Sequence, residues 1–180
     1  MTILVLGNGF DLAHGLQTSY GDFLEFTDSF LEIYKNSTIM EKGYLDCTAK
    51  TKYRYINNLI SGDRFFADEF YRLTVKNFWI IYFIKAKNIG NRWIDFEAEI
   101  SRLLRQIEAD QNSKDNYKYN GEVRSLTNNL ALTIFKEELE MDILYYEDIF
   151  ERMETDLRKL ITAFEIYLSA CVNKEAIEEK

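Results

Sequence analysis

Proline is absent from all 180 residues, so no long helix meets an obligatory break. Histidine occurs once, at His14, which leaves the chain short of the side chain most used for metal ligation and proton transfer near neutral pH. Cysteine occurs twice, at Cys47 and Cys171, and one widely separated pair makes no disulfide framework. No metal site is expected from this set. Long apolar runs are missing as well: residues 78–84 form the longest, far too short to span a bilayer as a helix. Residues 1–6 are apolar but lack a basic flank and end at Gly7-Asn8-Gly9, which excludes a signal peptide. Basic charge is scarce, with 22 Lys and Arg against 30 Asp and Glu and a net charge of −8. Nucleic-acid binding draws on a basic face that displaces counterions from phosphates, so the sum argues against DNA or RNA as partner. A cytoplasmic protein with no membrane partner is expected.

Apolar side chains are plentiful, at 47% of the chain, and rings dominate them with 13 Phe and 12 Tyr. That is enough to bury a core, and residues 1–180 read as a single domain. Ile3-Leu4-Val5-Leu6 is a continuous run of β-formers ending at glycine, the pattern of a fully buried strand in a parallel sheet. Asp11 then caps a short helix that Gly15 ends, and Ser19-Tyr20-Gly21-Asp22 has the pattern of a capping box at the start of a second. Residues 35–62 read as loop plus one helix. Residues 63–86 read as one long helix, although the 78–84 run also fits a strand. Trp93, Phe96, Ile100, Leu103, Leu104 and Ile107 mark a further helix, and Val123, Leu126, Leu130 and Ile134 another. The clearest stripe is the last, with Phe150, Met153, Leu157, Leu160, Ile161, Phe164, Leu168 and Cys171. One strand among so many helices lacks partners for its backbone groups. The expected plan is mainly α within an α/β, Rossmann-like frame, and either further strands escape the apolar pattern or the rest of the sheet lies outside this chain. The unpaired strand edge and the last stripe then predict marginal stability or self-association.

Chemistry is carried by few residues. A strand–Gly7-Asn8-Gly9–helix layout sets backbone N–H groups where a phosphate or ribose can approach, glycine leaving no Cβ in the way. The third glycine of a dinucleotide fingerprint is replaced by Leu12, and a plain tight turn explains the same residues. The Asn8 amide both donates and accepts, which suits a ribose hydroxyl or base edge. Asp11 serves as a helix cap, as an anion at the mouth of the turn, or as both. His14 is a general-base candidate or a structural histidine. In Trp93-Ile94-Asp95-Phe96-Glu97 the helical wheel turns Asp95 away from the apolar stripe and sets Glu97 on its edge. A semi-buried carboxylate needs a partner, so Glu97 either caps a neighbour or lines a site.

The opening, residues 3–20, and its continuation in Asp22-Phe23-Leu24 resemble the start of the AbiH family of bacteriophage abortive-infection proteins. The family usually has proline where this chain has Gln17. Trp93-Ile94-Asp95-Phe96-Glu97 resembles the family's W-I-D-[IF]-E segment, and Phe164-Glu165-Ile166-Tyr167-Leu168 is a weaker third likeness. Family members are typically longer, with F-N-Y-T-type and G-H-S-type motifs that this chain lacks, so the likeness implies an N-terminal part. It implies a role in antiviral defence by arrest or death of the infected cell. By fold-level analogy the GNGFD turn resembles the turn that opens sirtuin-like NAD-consuming domains. Two readings follow. One is a nucleotide-directed hydrolase acting on NAD or another nucleotide, with Asp11, Glu97 and His14 catalytic and Gly7, Asn8, Gly9 and Phe10 binding. The other is a non-catalytic sensor or interaction module. For the first, Asn8, Asp11 and Glu97 are expected to share one cleft.

Overall fold

The computed structural model describes residues 19–39, 56, 60, 62–88, 95–113, 122–123 and 125–169. Six α-helices account for most of them: α1 (Tyr20–Ile39), α2 (Arg64–Thr74), α3 (Phe78–Asn88), α4 (Phe96–Gln111), α5 (Asn129–Thr133) and α6 (Tyr146–Tyr167). A π-helical turn, Ile134–Glu138, continues α5. The only β pairing among the described residues is an isolated bridge between Glu122 and Tyr145. An α/β, Rossmann-like or sirtuin-like plan is therefore overturned: the described residues are helical and hold no strand or sheet. That plan extended a single apolar run and one turn to the whole chain. The run itself, residues 3–6, lies outside the described residues.

Two compact units divide the chain, Met1–Val75 with Ile161–Lys180, and Lys76–Leu160. In the first, the capping box forms as the sequence implies: the Asp22 amide donates to Ser19 Oγ at 3.1 Å and the Ser19 amide to the Asp22 carboxylate at 3.3 Å. Rings fill the core. Phe23, Phe26 and Phe30 on α1 meet Phe70 on α2, with the Phe30–Phe70 centroids 4.9 Å apart. Phe164 and Tyr167 at the end of α6 close on Phe23 at 5.2 and 5.5 Å.

The second unit is built on α3. Phe78, Trp79, Ile80, Tyr82 and Phe83 are all buried, so the 78–84 run is helical and covered on most of its circumference. Phe83 stacks on Phe96 at 3.8 Å, and Phe78 on Phe135 at 4.5 Å. The expected long helix over residues 63–86 is two. Val75 ends α2, Lys76 takes a φ of 51°, and Asn77 starts α3 by accepting from the amides of Trp79 and Ile80. The helix expected from Val123 is also shorter, because Asn128 caps it only at Asn129, accepting from the Ala131 amide.

Candidate functional site

Gly7, Asn8, Gly9, Phe10, Asp11 and His14 lie outside the described residues, so Glu97 is the one expected site residue whose surroundings the structure gives. It stands in the first turn of α4, exposed, with no hydrogen-bond or ion-pair partner. The expected semi-buried position is corrected here. The buried line of α4 runs through Phe96, Leu103 and Ile107, which turns Glu97 to solvent and brings Glu99 to the edge instead.

The three carboxylates of this segment have different tasks. Asp95 is the N-cap of α4, its side chain accepting from the Ala98 amide at 3.0 Å. Glu99 belongs to a polar cluster that joins α3, α4 and the cap of α5. The Tyr82 hydroxyl donates to Glu99 Oε1 at 2.6 Å and accepts from Asn128 Nδ2 at 3.2 Å and Arg102 Nη2 at 3.3 Å. Arg102 forks onto both Glu99 oxygens, at 2.8 and 2.5 Å, and donates to Gln106 Oε1 at 3.0 Å. Burial pushes the Tyr82 phenol up from its ordinary pKa, helped by its bond to Glu99. The Arg102 fork holds the Glu99 carboxyl below the usual carboxylate range, and Glu99 in turn raises the guanidinium. Tyr82 is thus a neutral donor, Glu99 an anion and Arg102 its cation, and the phenol oxygen has every hydrogen-bonding direction in use. A cluster so closed fixes three helices and leaves no group free to attack or to move a proton.

What stays open is the outer face of α4 beside it. Ala98, Ser101, Arg102, Arg105, Gln106 and Ala109 line a shallow depression of about 480 Å³. Glu97, Ser101 and Arg105 succeed one another at four-residue spacing, so they share a face, with the carboxylate one turn before the depression. Arg105 is exposed and, like Glu97, has no partner. A free carboxylate and a free guanidinium flanking a serine and a glutamine can meet a polar anionic ligand. No group of three or more His, Cys, Asp or Glu fit to hold a metal occurs among the described residues, and none of their helices is long and apolar enough to cross a membrane.

Sequence reasoning missed Tyr82, Arg102 and Asn128. Tyr82 sits inside the most apolar run and reads as core, which it also is. Glu99 and Arg102 carried a usable signal, opposite charges three residues apart on a helix. Asn128 carried another, an Asn two residues before the apolar run that starts at Leu130.

No curated protein and no solved structure matches the chain. The family model described as bacteriophage abortive infection AbiH matches residues 3–180, which take in the GNGFD segment, the W-I-D-F-E segment and every described helix. The chain therefore belongs to the AbiH family of bacteriophage abortive infection proteins.

Proposed function

We propose that the protein serves abortive infection by hydrolysing a nucleotide, NAD in the first instance, with Asp11, His14 and Glu97 as the catalytic candidates and Gly7, Asn8, Gly9 and Phe10 as the binding candidates. One observation carries the reading: of the three carboxylates at Asp95, Glu97 and Glu99, two are committed to a helix cap and to Arg102, and Glu97 alone is exposed and unpartnered. Its neighbourhood, with Arg105 and Ser101 down the same face, suits a phosphate-bearing ligand.

The chemistry follows from the residue types. Cleavage of the N-glycosidic bond of NAD sends the bond's electron pair onto nicotinamide and leaves an oxocarbenium-like ribosyl centre. A carboxylate close to that centre stabilises its charge, the role given to Asp11 and Glu97. Water adds to the same carbon and loses a proton, which His14 is assigned to accept as general base. Asn8 holds a ribose hydroxyl. The backbone of Gly7 and Gly9, without Cβ atoms, admits phosphate beside Phe10. The products are ADP-ribose, nicotinamide and a proton.

The test is NAD consumption by the purified protein, read as nicotinamide release. Wild type should release it, and Asp11→Asn and Glu97→Gln should each slow release by about 100-fold or more. The non-catalytic reading has its own support in Phe65, a large ring 83% exposed on α2. No nicotinamide release, combined with phage protection kept by both carboxylate variants, would establish that second reading.

A further inference from the structure

The depression on the outer face of α4 lies wholly within one compact unit, Lys76–Leu160. Acidic side chains outnumber basic ones 30 to 22 in the chain, yet the described residues lining it include Arg102 and Arg105 and no carboxylate. What these side chains can offer a ligand is set by the bonds they already make. Gln106 Oε1 accepts from Arg102 Nη1 at 3.0 Å, so the amide keeps its N–H donors for a ligand. Arg102 commits Nε and Nη2 to Glu99 and Tyr82 and one Nη1 hydrogen to Gln106, and the other Nη1 hydrogen is left over. Arg105 is exposed and has all its N–H donors free. The Ser101 hydroxyl, also without a partner, stands one turn before Arg105 on the same face.

The lining is therefore a set of donors with one uncompensated positive charge. Glu99 balances Arg102, whereas nothing balances Arg105. The fork to Glu99 also holds the Arg102 guanidinium in place, so that group loses little freedom when a ligand arrives. A volume of about 480 Å³ lies within the range of small-molecule sites. A lone carboxylate is too small a match for this many donors. A diphosphate brings more acceptor oxygens, on two centres, and guanidinium groups bind phosphate oxygens in a fixed geometry.

We propose that this depression is an anion site for a diphosphate group, held by Arg105 with Ser101, Gln106 and the remaining Arg102 donor. It goes beyond the nucleotide reading, because free pyrophosphate and the diphosphate of a dinucleotide present the same chemistry. The probe is inorganic pyrophosphate, titrated calorimetrically into the full chain at about 0.15 M salt, where long-range attraction is screened. Wild type should bind it with a Kd below about 1 mM. Arg105→Gln should weaken binding by about tenfold and leave the melting temperature unchanged, since the lost bonds are to the ligand and not within the protein. Gln106→Glu keeps an oxygen for Arg102 but sets a carboxylate in the depression, and should abolish binding. Arg158→Gln, at an exposed arginine that does not line the depression, should bind like wild type. Absent binding, or equal losses in Arg105→Gln and Arg158→Gln, overturns the proposal. So does malonate, a dicarboxylate, binding as tightly as pyrophosphate. A wild-type dimer that Arg105→Gln dissociates also overturns it, because a second copy then covers the depression. NAD separates the two sources of the group. If NAD competes with pyrophosphate, the diphosphate belongs to a dinucleotide. If pyrophosphate binds and NAD does not compete, the site stands and the nucleotide reading alone is weakened.

Discussion

Asp156 is a buried carboxylate that ties the start of α3 to α6 in the second unit. Its carboxylate is 0% exposed, yet it accepts from the Phe78 amide at 2.9 Å, from Arg152 Nε at 2.6 Å and from Lys159 Nζ at 3.2 Å. Its own backbone oxygen accepts from Asn77 Nδ2 at 2.8 Å. Arg152 reaches on to the Lys76 carbonyl, so one carboxylate and its cation hold the start of α3 against α6. Removing one member of a buried pair leaves the other uncompensated. Asp156→Ala should therefore cost about 3 kcal/mol, measured by urea unfolding. The exposed pair Glu154–Arg158 on the same helix is the control, where Glu154→Ala should cost less than about 1 kcal/mol. Equal losses at the two positions would show that Asp156 is held no more firmly than a surface charge. The sequence disguised this residue. The stripe expected for the last helix runs through Phe150, Met153, Leu157, Leu160, Ile161, Phe164, Leu168 and Cys171, and of these Met153 and Leu160 are buried. The structure buries Tyr146, Ile149, Met153, Asp156, Leu160, Ala163 and Tyr167 and leaves Ile161 53% exposed. A charged residue sits in mid-stripe because its two cations lie on its own helix, three and four residues away. The error at Glu97 was of the same kind. Counting Trp93 and Leu104 in the stripe of α4 rotated the wheel enough to exchange Glu97 for Glu99.

At the scale of elements, breaks between helices were the hardest feature to read. Residues 63–86 have no proline and no glycine, and nothing in their periodicity marks a stop. The break is made instead by Lys76, in the left-handed region, and by Asn77 as the next cap. Glu140 has the same unusual conformation, with φ of 56°, just past the π-helical turn, and its carboxylate pairs with Lys76 Nζ at 3.1 Å. Glycine is the residue that usually ends a helix in this way, since an L side chain is strained there. The strain at Lys76 is tolerable because Arg152 fastens its carbonyl. Replacing Lys76 by Gly removes the strain and keeps that carbonyl, and the exposed pair it loses contributes little. Lys76→Gly should leave the melting temperature unchanged or raise it, by up to about 1 kcal/mol of stability. Lys76→Val, β-branched at a left-handed position, should lower it by at least as much. If the valine variant melts like wild type, the turn does not hold the backbone where the structure puts it. Helix starts were far easier to read. The capping box at Ser19 was legible in four letters, because capping is local chemistry. The Asp95 and Asn128 caps are equally local, each side chain accepting from the amide three residues on.

Across the whole molecule, helicity was legible and the plan that contains it was not. Apolar spacing along residues 20–34, 93–107 and 150–171 identifies helices that the structure has at Tyr20–Ile39, Phe96–Gln111 and Tyr146–Tyr167. An α/β frame required long-range pairing, which periodicity does not encode, and the described residues give it no sheet. The division into units was not legible either, since no linker of glycine, serine or proline marks it. It has a consequence that can be measured. The unit Lys76–Leu160 is one continuous stretch, whereas Met1–Val75 is grouped with the distant Ile161–Lys180. The continuous unit contains its own aromatic core in Phe78, Trp79, Phe83, Phe96 and Phe135. Among the described residues it also contains the Tyr82–Glu99–Arg102–Asn128 cluster and the Asn77–Arg152–Asp156 set. Its size is within the range in which one core sustains a fold. A fragment of residues 76–160 is therefore expected to be helical by circular dichroism and to melt in one cooperative transition. Asp156→Ala, introduced into the fragment, should lower that transition as it does in the full chain, because every partner of the carboxylate is present. A non-cooperative melt would mean that the core assembles only with residues from outside the stretch. A cooperative melt insensitive to Asp156→Ala would mean that the fragment folds without the buried charge network. Either result would revise what holds the start of α3 in place.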